Sequence, residues 1–223
     1  MEFILRKDRK GQNMRLQIAI DVNDTYTALK VLEQVYPYLD IAELGTPLMI
    51  AEGARAVRAI KKEYPDVKVL SDIKLMDGGG PIAKIVLAAG ADIVTVLGAA
   101  NEQTISGVAA AAKEYGKAVF VDLISVADVK SRAAQIDKLG VDYIGVHTSY
   151  DLRESVATPL EDLKKIKEVV TSAKTSISGG IKPEMLNDII PICPDVIIVG
   201  GSILTAKNQA ESARFFYNKI HNL

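Results

Sequence analysis

The sequence predicts a single (β/α)8 barrel, because short apolar runs alternate with helical segments along 223 residues and no linker divides them. Eight of these runs are apolar or β-branched and have the length of a strand. An open, doubly wound sheet is the alternative that this periodicity leaves open. No glycine-rich nucleotide-binding sequence follows the first predicted strand, which runs into Asp21-Val22-Asn23, and this favours the barrel.

Each predicted element is short enough to belong to one strand–helix unit. The strands are predicted at residues 16–20, 41–44, 67–73, 93–97, 118–124, 143–146, 175–178 and 196–199. Helical periodicity is clearest at residues 27–35, 51–64, 103–115 and 160–170.

The turns that lead from a helix to a strand carry a recurrent signature. Gly90-Ala91-Asp92 and Gly140-Val141-Asp142 place a glycine after a helix and an aspartate before a strand. Pro65-Asp66 and Pro194-Asp195 put a helix breaker in the same position. The repetition indicates a series of similar units within one domain.

Composition gives no reason to expect a nucleic acid or a membrane as a partner. The formal net charge is −1, and no segment approaches the length of a membrane helix. Cys193 is the only cysteine, so no intrachain disulfide can form and a reducing, cytoplasmic compartment is expected. Residues 1–13 are expected to be an extension, a tag remnant or an upstream start, with the catalytic barrel at residues 14–223.

Polar residues gather where the predicted strands end, and barrels of this kind carry their chemistry at those ends. The residues are Asp21, Glu43, Asp72, Lys74, Asp122 and His147, followed by the pairs Gly179-Gly180 and Gly200-Gly201. Each has a structural explanation by itself: Asp21 could cap a helix, Asp122 could accept a hydrogen bond, and His147 could be a core histidine. Packing would favour apolar residues at these positions, so the joint placement indicates a site.

The residue types favour enolate chemistry on a sugar phosphate. Glu43 and Asp72 offer hard oxygen ligands that suit Mg²⁺, and the two histidines of the chain are too few for a histidine-rich zinc site. Carboxylates flank Lys74 and favour its protonated form, which suits an enediolate oxyanion better than a Schiff base. His147 could move the proton. The glycine pairs follow the seventh and eighth strands, where barrels often hold a phosphate.

The motif Asp72-x-Lys74-x-x-Asp77 resembles the signature of the orotidine 5′-phosphate decarboxylase suprafamily of (β/α)8 barrels, and the resemblance covers nearly all of the chain after residue 13. Other segments are more similar to its 3-hexulose-6-phosphate synthase branch than to its 3-keto-L-gulonate-6-phosphate decarboxylase branch. Asp122 stands where the decarboxylases typically carry Glu, and Thr148 and Tyr150 replace two of their arginines. Gly201 is followed by serine in a loop that lacks the arginine of the decarboxylases.

The resemblance implies a Mg²⁺-dependent aldehyde-lyase that joins formaldehyde reversibly to D-ribulose 5-phosphate through a 1,2-enediolate. It implies that Glu43 and Asp72 are metal ligands and that the catalytic residues are Lys74, His147, Asp77 and Asp122. The substrate-binding residues that it implies are Asp21, Gly179, Gly180, Gly200 and Gly201. Asp77 is implied to reach the active site of a partner subunit, hence a homodimer with shared sites. The alternatives are a 3-keto-L-gulonate-6-phosphate decarboxylase, a sugar-phosphate epimerase, and a barrel that binds sugar phosphates without catalysis.

Overall fold

Eight parallel strands pair in sequence order, and the last strand pairs with the first to close a barrel. The structure is a computed structural model that describes residues 14–152 and 159–222. The (β/α)8 prediction is confirmed, and the extension expected at residues 1–13 lies outside the described residues. The strands are β1 (Arg15–Ile20), β2 (Ile41–Leu44), β3 (Val69–Leu75), β4 (Ile93–Leu97), β5 (Ala118–Asp122), β6 (Tyr143–His147), β7 (Lys174–Ser178) and β8 (Val196–Val199).

Helices fill the connections between the strands and surround the barrel. They are α1 (Thr25–Val35), α2 (Thr46–Glu52), α3 (Ala54–Glu63), α4 (Gly79–Ala88), α5 (Glu102–Glu114), α6 (Val129–Ile136), α7 (Leu160–Lys167), α8 (Leu186–Ile189), α9 (Gly201–Leu204) and α10 (Gln209–His221). Asp24 caps α1 with its side chain, so the alternative that Asp21 serves as this cap is wrong. Across the two described ranges, no helix combines the length and the apolar character that crossing a membrane requires.

Among the elements whose bounds differ from the sequence prediction, two bear on the site or on the course of the chain beside it. The helix expected at residues 51–64 is two helices, α2 and α3, because Gly53 has a φ of +57° and a continuous helix does not allow that conformation. The third strand runs over Val69–Leu75 in place of 67–73, so it also contains Lys74.

The barrel interior changes from apolar to polar along the strands. Side chains alternate between the interior and the surrounding helices, so positions two residues apart face the same way. A compact apolar layer contains Ala19, Ile41, Leu70, Ile93, Phe120, Tyr143, Val196 and Ile198. Further along the same faces the strands present Asp21, Glu43, Asp72, Thr95, Asp122 and His147. We call this polar layer at the carboxyl ends of the strands the mouth.

At the opposite, N-terminal end of the barrel, aspartates hold backbone N–H groups. An aspartate lies immediately before each even-numbered strand and accepts a hydrogen bond from an N–H near the start of the preceding odd-numbered strand. The pairs are Asp40 with Leu16 at 2.9 Å, Asp92 with Val69 at 3.0 Å, Asp142 with Val119 at 2.9 Å, and Asp195 with Thr175 at 2.8 Å. We call Asp40, Asp92, Asp142 and Asp195 the brace aspartates. Three of them belong to the turn signature seen in the sequence, which therefore marks a link between strands.

Candidate active site

An irregular stretch of β3 carries the Asp72–Lys74 pair. The register between β3 and β4 shifts between Ser71 and Leu75, where four steps along β3 match two steps along β4. Within this bulge Lys74 has a φ of +44°, a left-handed conformation that is strained for a lysine. Lys74 Nζ lies 2.9 Å from Asp72 Oδ2. The two side chains lie together, as expected, although a bulge and not regular strand alternation brings them there.

Two threonine hydroxyls hold the carboxylate of Asp72. Thr46 Oγ1 donates to Asp72 Oδ2 at 2.7 Å, and Thr95 Oγ1 donates to Asp72 Oδ1 at 2.9 Å. Thr95 Oγ1 also accepts the backbone N–H of Lys74 at 2.9 Å. Because Asp72 is buried, these hydrogen bonds replace contacts with water that its carboxylate would otherwise make.

Asp122 links Lys74 to His147. Its Oδ2 lies 2.9 Å from His147 Nδ1 and 3.3 Å from Lys74 Nζ, and its Oδ1 accepts the N–H of Ile124 at 2.9 Å. Burial by itself would raise the pKa of Asp122, but the hydrogen bond and charge of His147 and the charge of Lys74 lower it overall. Burial would likewise lower the pKa of Lys74, yet the carboxylates of Asp72 and Asp122 raise it. Lys74 is therefore a cation at neutral pH.

Glu43 is buried in β2 beside Gln17 of β1. Gln17 Nε2 donates to Glu43 Oε2 at 2.7 Å. Burial and the charge of nearby Asp72 raise the pKa of Glu43 to about 8, although the hydrogen bond from Gln17 opposes this rise. In the metal-free chain this carboxyl therefore ionises only near pH 8, and a bound cation would favour its ionised form.

Asp21 follows β1 at the rim of the mouth, where it is accessible to solvent. Neighbouring protein atoms displace water from the carboxyl of Asp21 and so raise its pKa, and the negative charge of Asp72 adds to the rise. The charges of Lys74 and His147 act in the opposite direction. Asp21 is thus close enough to these three residues to share their electrostatic field.

The glycine pairs lie on two neighbouring loops, after β7 and β8. Gly179 has a φ of +102°, and a Cβ there would come 2.4 Å from the backbone oxygen of Thr148, so this close approach requires glycine. Ser202 Oγ donates to the backbone oxygen of Ile181 at 2.7 Å and ties the two loops together. A Cβ on Gly201 would meet no atom within 4 Å, so open space lies beside it.

Asp77 makes no hydrogen bond or ion pair with the other predicted site residues. It is exposed beyond the end of β3, and none of the polar contacts within the described residues involves it. The structure brings together at the mouth Asp21, Glu43, Asp72, Lys74, Asp122 and His147, with Gly179, Gly180, Gly200 and Gly201 on the loops after β7 and β8. The mouth of a single chain thus holds every predicted charged residue except Asp77.

The oxygen donors at the mouth fit a hard divalent cation as part of its coordination. Glu43 and Asp72 come from adjacent strands, and their mutual repulsion contributes to the raised pKa of Glu43, which a cation would relieve. Within residues 14–152 and 159–222, no group of three or more His, Cys, Asp or Glu side chains is arranged to hold a metal ion. Mg²⁺ typically takes one or two carboxylates and completes its shell with water and substrate oxygens, so two carboxylates suffice.

The sequence prediction missed three neutral residues that hold the charged ones. These residues are Gln17, Thr46 and Thr95. Gln17 and Thr95 interrupt apolar runs at positions that face the barrel interior, and a polar residue at such a position is a usable signal. Thr46 is the first residue of α2, separated from β2 by Gly45, and carries no comparable signal, because threonine is common at the start of a helix.

Comparison with known proteins adds a family and named relatives. The sequence matches the Orotidine 5′-phosphate decarboxylase / HUMPS family over residues 14–216. The 3-hexulose-6-phosphate synthase of Bacillus subtilis (strain 168) is 48% identical to this chain over 200 residues, which cover 90% of this chain and 95% of that protein.

Two solved structures show how far the similarity extends in three dimensions. The crystal structure of 3-hexulose-6-phosphate synthase from Salmonella typhimurium has a TM-score of 0.91 and 38% identity, over 94% of this chain and 99% of that one. The structure of 3-keto-L-gulonate-6-phosphate decarboxylase from Vibrio cholerae O1 biovar El Tor has a TM-score of 0.82 and 26% identity, over 94% and 98% of the two chains. The sequence resembles the synthase more than the decarboxylase.

Proposed function

Because the chain belongs to the Orotidine 5′-phosphate decarboxylase / HUMPS family, we propose that it joins formaldehyde to D-ribulose 5-phosphate in a reversible, Mg²⁺-dependent aldol reaction that gives hexulose 6-phosphate. The relatives from Bacillus subtilis and Salmonella typhimurium carry the name 3-hexulose-6-phosphate synthase, and the expectation of a lyase is confirmed. The observation that carries the proposal is a lysine cation held between the carboxylates of Asp72 and Asp122, the second of which also contacts His147.

In the proposed reaction His147 exchanges the proton. The C1–H bond of ribulose 5-phosphate breaks, the proton moves to His147 Nε2, and the electron pair forms an enediolate. C1 then attacks the carbonyl carbon of formaldehyde as its C=O π bond breaks, and the formaldehyde oxygen takes the proton from His147 Nε2. His147 Nδ1 lies 2.9 Å from Asp122, which favours the tautomer that leaves Nε2 free to accept a proton.

Lys74 stabilises the enediolate in this proposal without forming a covalent bond. Its raised pKa keeps it protonated at neutral pH, so it offers positive charge where negative charge develops on the enediolate oxygens. A Schiff base would require a neutral amine, which the flanking carboxylates Asp72 and Asp122 disfavour.

Glu43 and Asp72 would hold Mg²⁺. The cation, when bound, supplies further positive charge for an enediolate oxygen. Gln17 orients Glu43 through its amide, and the hydroxyls of Thr46 and Thr95 orient Asp72. Both carboxylates are thus held in position before any ligand binds.

The two glycine loops would take the phosphate group, and Asp21 would accept a hydrogen bond from a sugar hydroxyl. Four residues form the phosphate cradle in this proposal, which are Gly179, Gly180, Gly200 and Gly201. Two observations support it: the loops are joined by the bond from Ser202, and the space beside Gly201 is open. Backbone N–H groups can bind a phosphate without a basic side chain.

The main experiment measures formaldehyde consumption by the purified chain with ribulose 5-phosphate and Mg²⁺. We expect consumption that requires both the sugar phosphate and the metal, that stops with a chelator, and that yields a six-carbon sugar phosphate. No consumption by the folded chain would overturn the proposal. The competing arm supplies 3-keto-L-gulonate 6-phosphate, and a higher kcat/KM for release of CO₂ would assign the chain to the decarboxylase activity instead.

Asp77 supports a homodimer with shared sites. It has no polar contact within the described residues, and Met76, Ile82 and Ile85, which lie close to it in the sequence, have exposed apolar side chains, with exposures of 51%, 42% and 58%. A second subunit would cover this apolar surface and bring its own mouth close to Asp77.

Mixing two inactive variants tests the shared site. An equal mixture of Asp77→Ala and Lys74→Ala proteins is expected to regain up to about one quarter of the wild-type activity after subunit exchange. About half of the dimers would be mixed, and one of the two sites in each mixed dimer would be intact. Subunit exchange must be verified separately with labelled chains. Exchange without any recovery of activity would contradict a shared site.

A cytoplasmic location, expected from the single cysteine, stays a prediction. Fractionation of the producing cell with an antibody to the chain would test it.

A further inference from the structure

Thr95 lies opposite the whole bulge of β3. Ser71 pairs with Val94 and Leu75 pairs with Val96, so Thr95 is the single β4 residue between these two pairs. Three β3 residues, Asp72, Ile73 and Lys74, lie across from it. A single hydroxyl therefore reaches both charged residues of the bulge, at 2.9 Å from Asp72 Oδ1 and at 2.9 Å from the Lys74 backbone nitrogen.

We propose that Thr95 is a positioning residue, which holds the backbone of Lys74 in its left-handed conformation and thereby sets where the lysine cation lies. This inference rests on the proposed function, in which that cation stabilises the enediolate. A hydroxyl suits this place because it can donate to a carboxylate and accept from an N–H at the same time. A methyl group can do neither, and a protonated amine can only donate.

The two partners of Thr95 depend on it to different degrees. Asp72 has a second hydroxyl donor in Thr46, at 2.7 Å, and so keeps one hydrogen bond if Thr95 is lost. The N–H of Lys74 lies in the bulge, where the ladder with β4 is interrupted, and its acceptor is the Thr95 hydroxyl. Loss of this hydroxyl should therefore act on Lys74 more than on Asp72, because the strained φ of +44° loses the bond that holds it.

The experiment compares Thr95→Val, which keeps the shape and removes the hydroxyl, with Thr95→Ser, which keeps the hydroxyl. The matched control is Thr175→Val, because Thr175 is also 3% exposed and also donates to an aspartate, Asp195, but at the other end of the barrel. We expect Thr95→Val to lower kcat for the aldol reaction by about 10- to 100-fold with KM for ribulose 5-phosphate changed less than about threefold. Thr95→Ser should recover kcat to within about threefold, and Thr175→Val should stay within about twofold of wild type.

A second measurement on the metal-free chain reports the conformation without any turnover. The amide of Lys74 should exchange its hydrogen about tenfold faster in Thr95→Val than in wild type, and near the wild-type rate in Thr95→Ser and Thr175→Val. If wild type has no aldol activity, the proposed function fails and this exchange rate alone decides the role of Thr95.

Three kinetic outcomes would overturn the inference. They are unchanged kcat in Thr95→Val, equal kcat losses in Thr95→Val and Thr175→Val, and a Thr95→Ser protein as slow as Thr95→Val. An unchanged exchange rate at Lys74 in Thr95→Val would do the same. If Thr95→Val does not fold, Thr95→Ala removes the same hydroxyl with less crowding and takes its place in each comparison.

Discussion

Asp92 and Glu43, at opposite ends of the barrel, show two different uses of a carboxylate. At the N-terminal end the brace aspartates accept backbone N–H groups, and Asp92 also contacts Lys61 at 3.1 Å and Lys117 at 2.6 Å. Burial would raise the pKa of Asp92, but these contacts lower it. At the mouth, Glu43 lies buried near other carboxylates, and its pKa rises to about 8.

The difference separates residues that stabilise the fold from residues that are ready for a ligand. A carboxylate whose partners are backbone N–H groups and lysines favours the folded chain in its ionised form. A buried carboxyl group beside a carboxylate favours the folded chain only while it is protonated. A bound cation would neutralise its ionised form. Glu43 therefore carries an electrostatic cost at the mouth that Asp92 does not carry at the other end.

Removing one lysine from each end of the barrel is expected to give the largest difference in activity between the two ends. Lys74 and Lys117 have similarly buried side chains, 28% and 30% exposed, and each contacts an aspartate. We expect Lys74→Met to lower kcat/KM for the aldol reaction by about 10³-fold, because a charge that stabilises the enediolate is lost. Lys117→Met should change it by less than about twofold. Equal losses in the two variants, measured on folded protein, would contradict the division between the ends.

Glu43→Gln should change how the stability of the metal-free chain depends on pH. Glu43 has a folded pKa of about 8 and an unfolded pKa of about 4.3, so the stability that it contributes is present at low pH and is lost as pH rises between these values. We expect wild type to lose roughly 2–4 kcal/mol of unfolding free energy from this group between pH 5 and pH 9, and Glu43→Gln to lack that loss.

Urea unfolding in the presence of a chelator measures this effect. Adding Mg²⁺ to wild type should recover stability at pH 9 more than at pH 5, because protons compete with the cation for Glu43. Parallel pH profiles for wild type and Glu43→Gln would show that this carboxyl has an ordinary pKa in the folded chain.

Asp92→Asn should destabilise the chain and leave catalysis intact. Removing the charge weakens the contacts to Lys61, Lys117 and the N–H of Val69, and we expect a loss of about 1–3 kcal/mol in unfolding free energy at pH 7. The pKa of Asp92 is lowered, so its stabilisation is present above about pH 4 and is lost as pH falls through its folded pKa, the reverse of Glu43. Urea unfolding and kcat measured together check this. A large fall in kcat would show that the N-terminal end of the barrel also contributes to catalysis.

The sequence was sufficient for the barrel and for most of the mouth, because both follow from local patterns. Apolar runs mark strands, and polar residues at their ends mark the face where a barrel carries its site. The break at Gly53 was not predicted, although a glycine inside a helical segment is a local signal for one.

The bulge at Lys74 could not be predicted in the same way. It depends on how β3 pairs with β4, and no local pattern within β3 reveals a shift in that register. Thr95 acquires its two hydrogen bonds only through this pairing, so its role is equally hidden from the sequence.

The brace aspartates also divide the barrel into modules. Each brace lies within one pair of neighbouring strands, β1–β2, β3–β4, β5–β6 or β7–β8, and no brace crosses from one pair to the next. A chain divided near Gly116, between β4 and β5, keeps all four aspartate-to-N–H bonds inside its two halves, although it separates Lys117 from Asp92. A chain divided near Gly140 separates Val119 from Asp142 and breaks one. The fold thus has boundaries between pairs of strands, along which half-barrels can be exchanged or duplicated while each of the four aspartate-to-N–H bonds stays within one half.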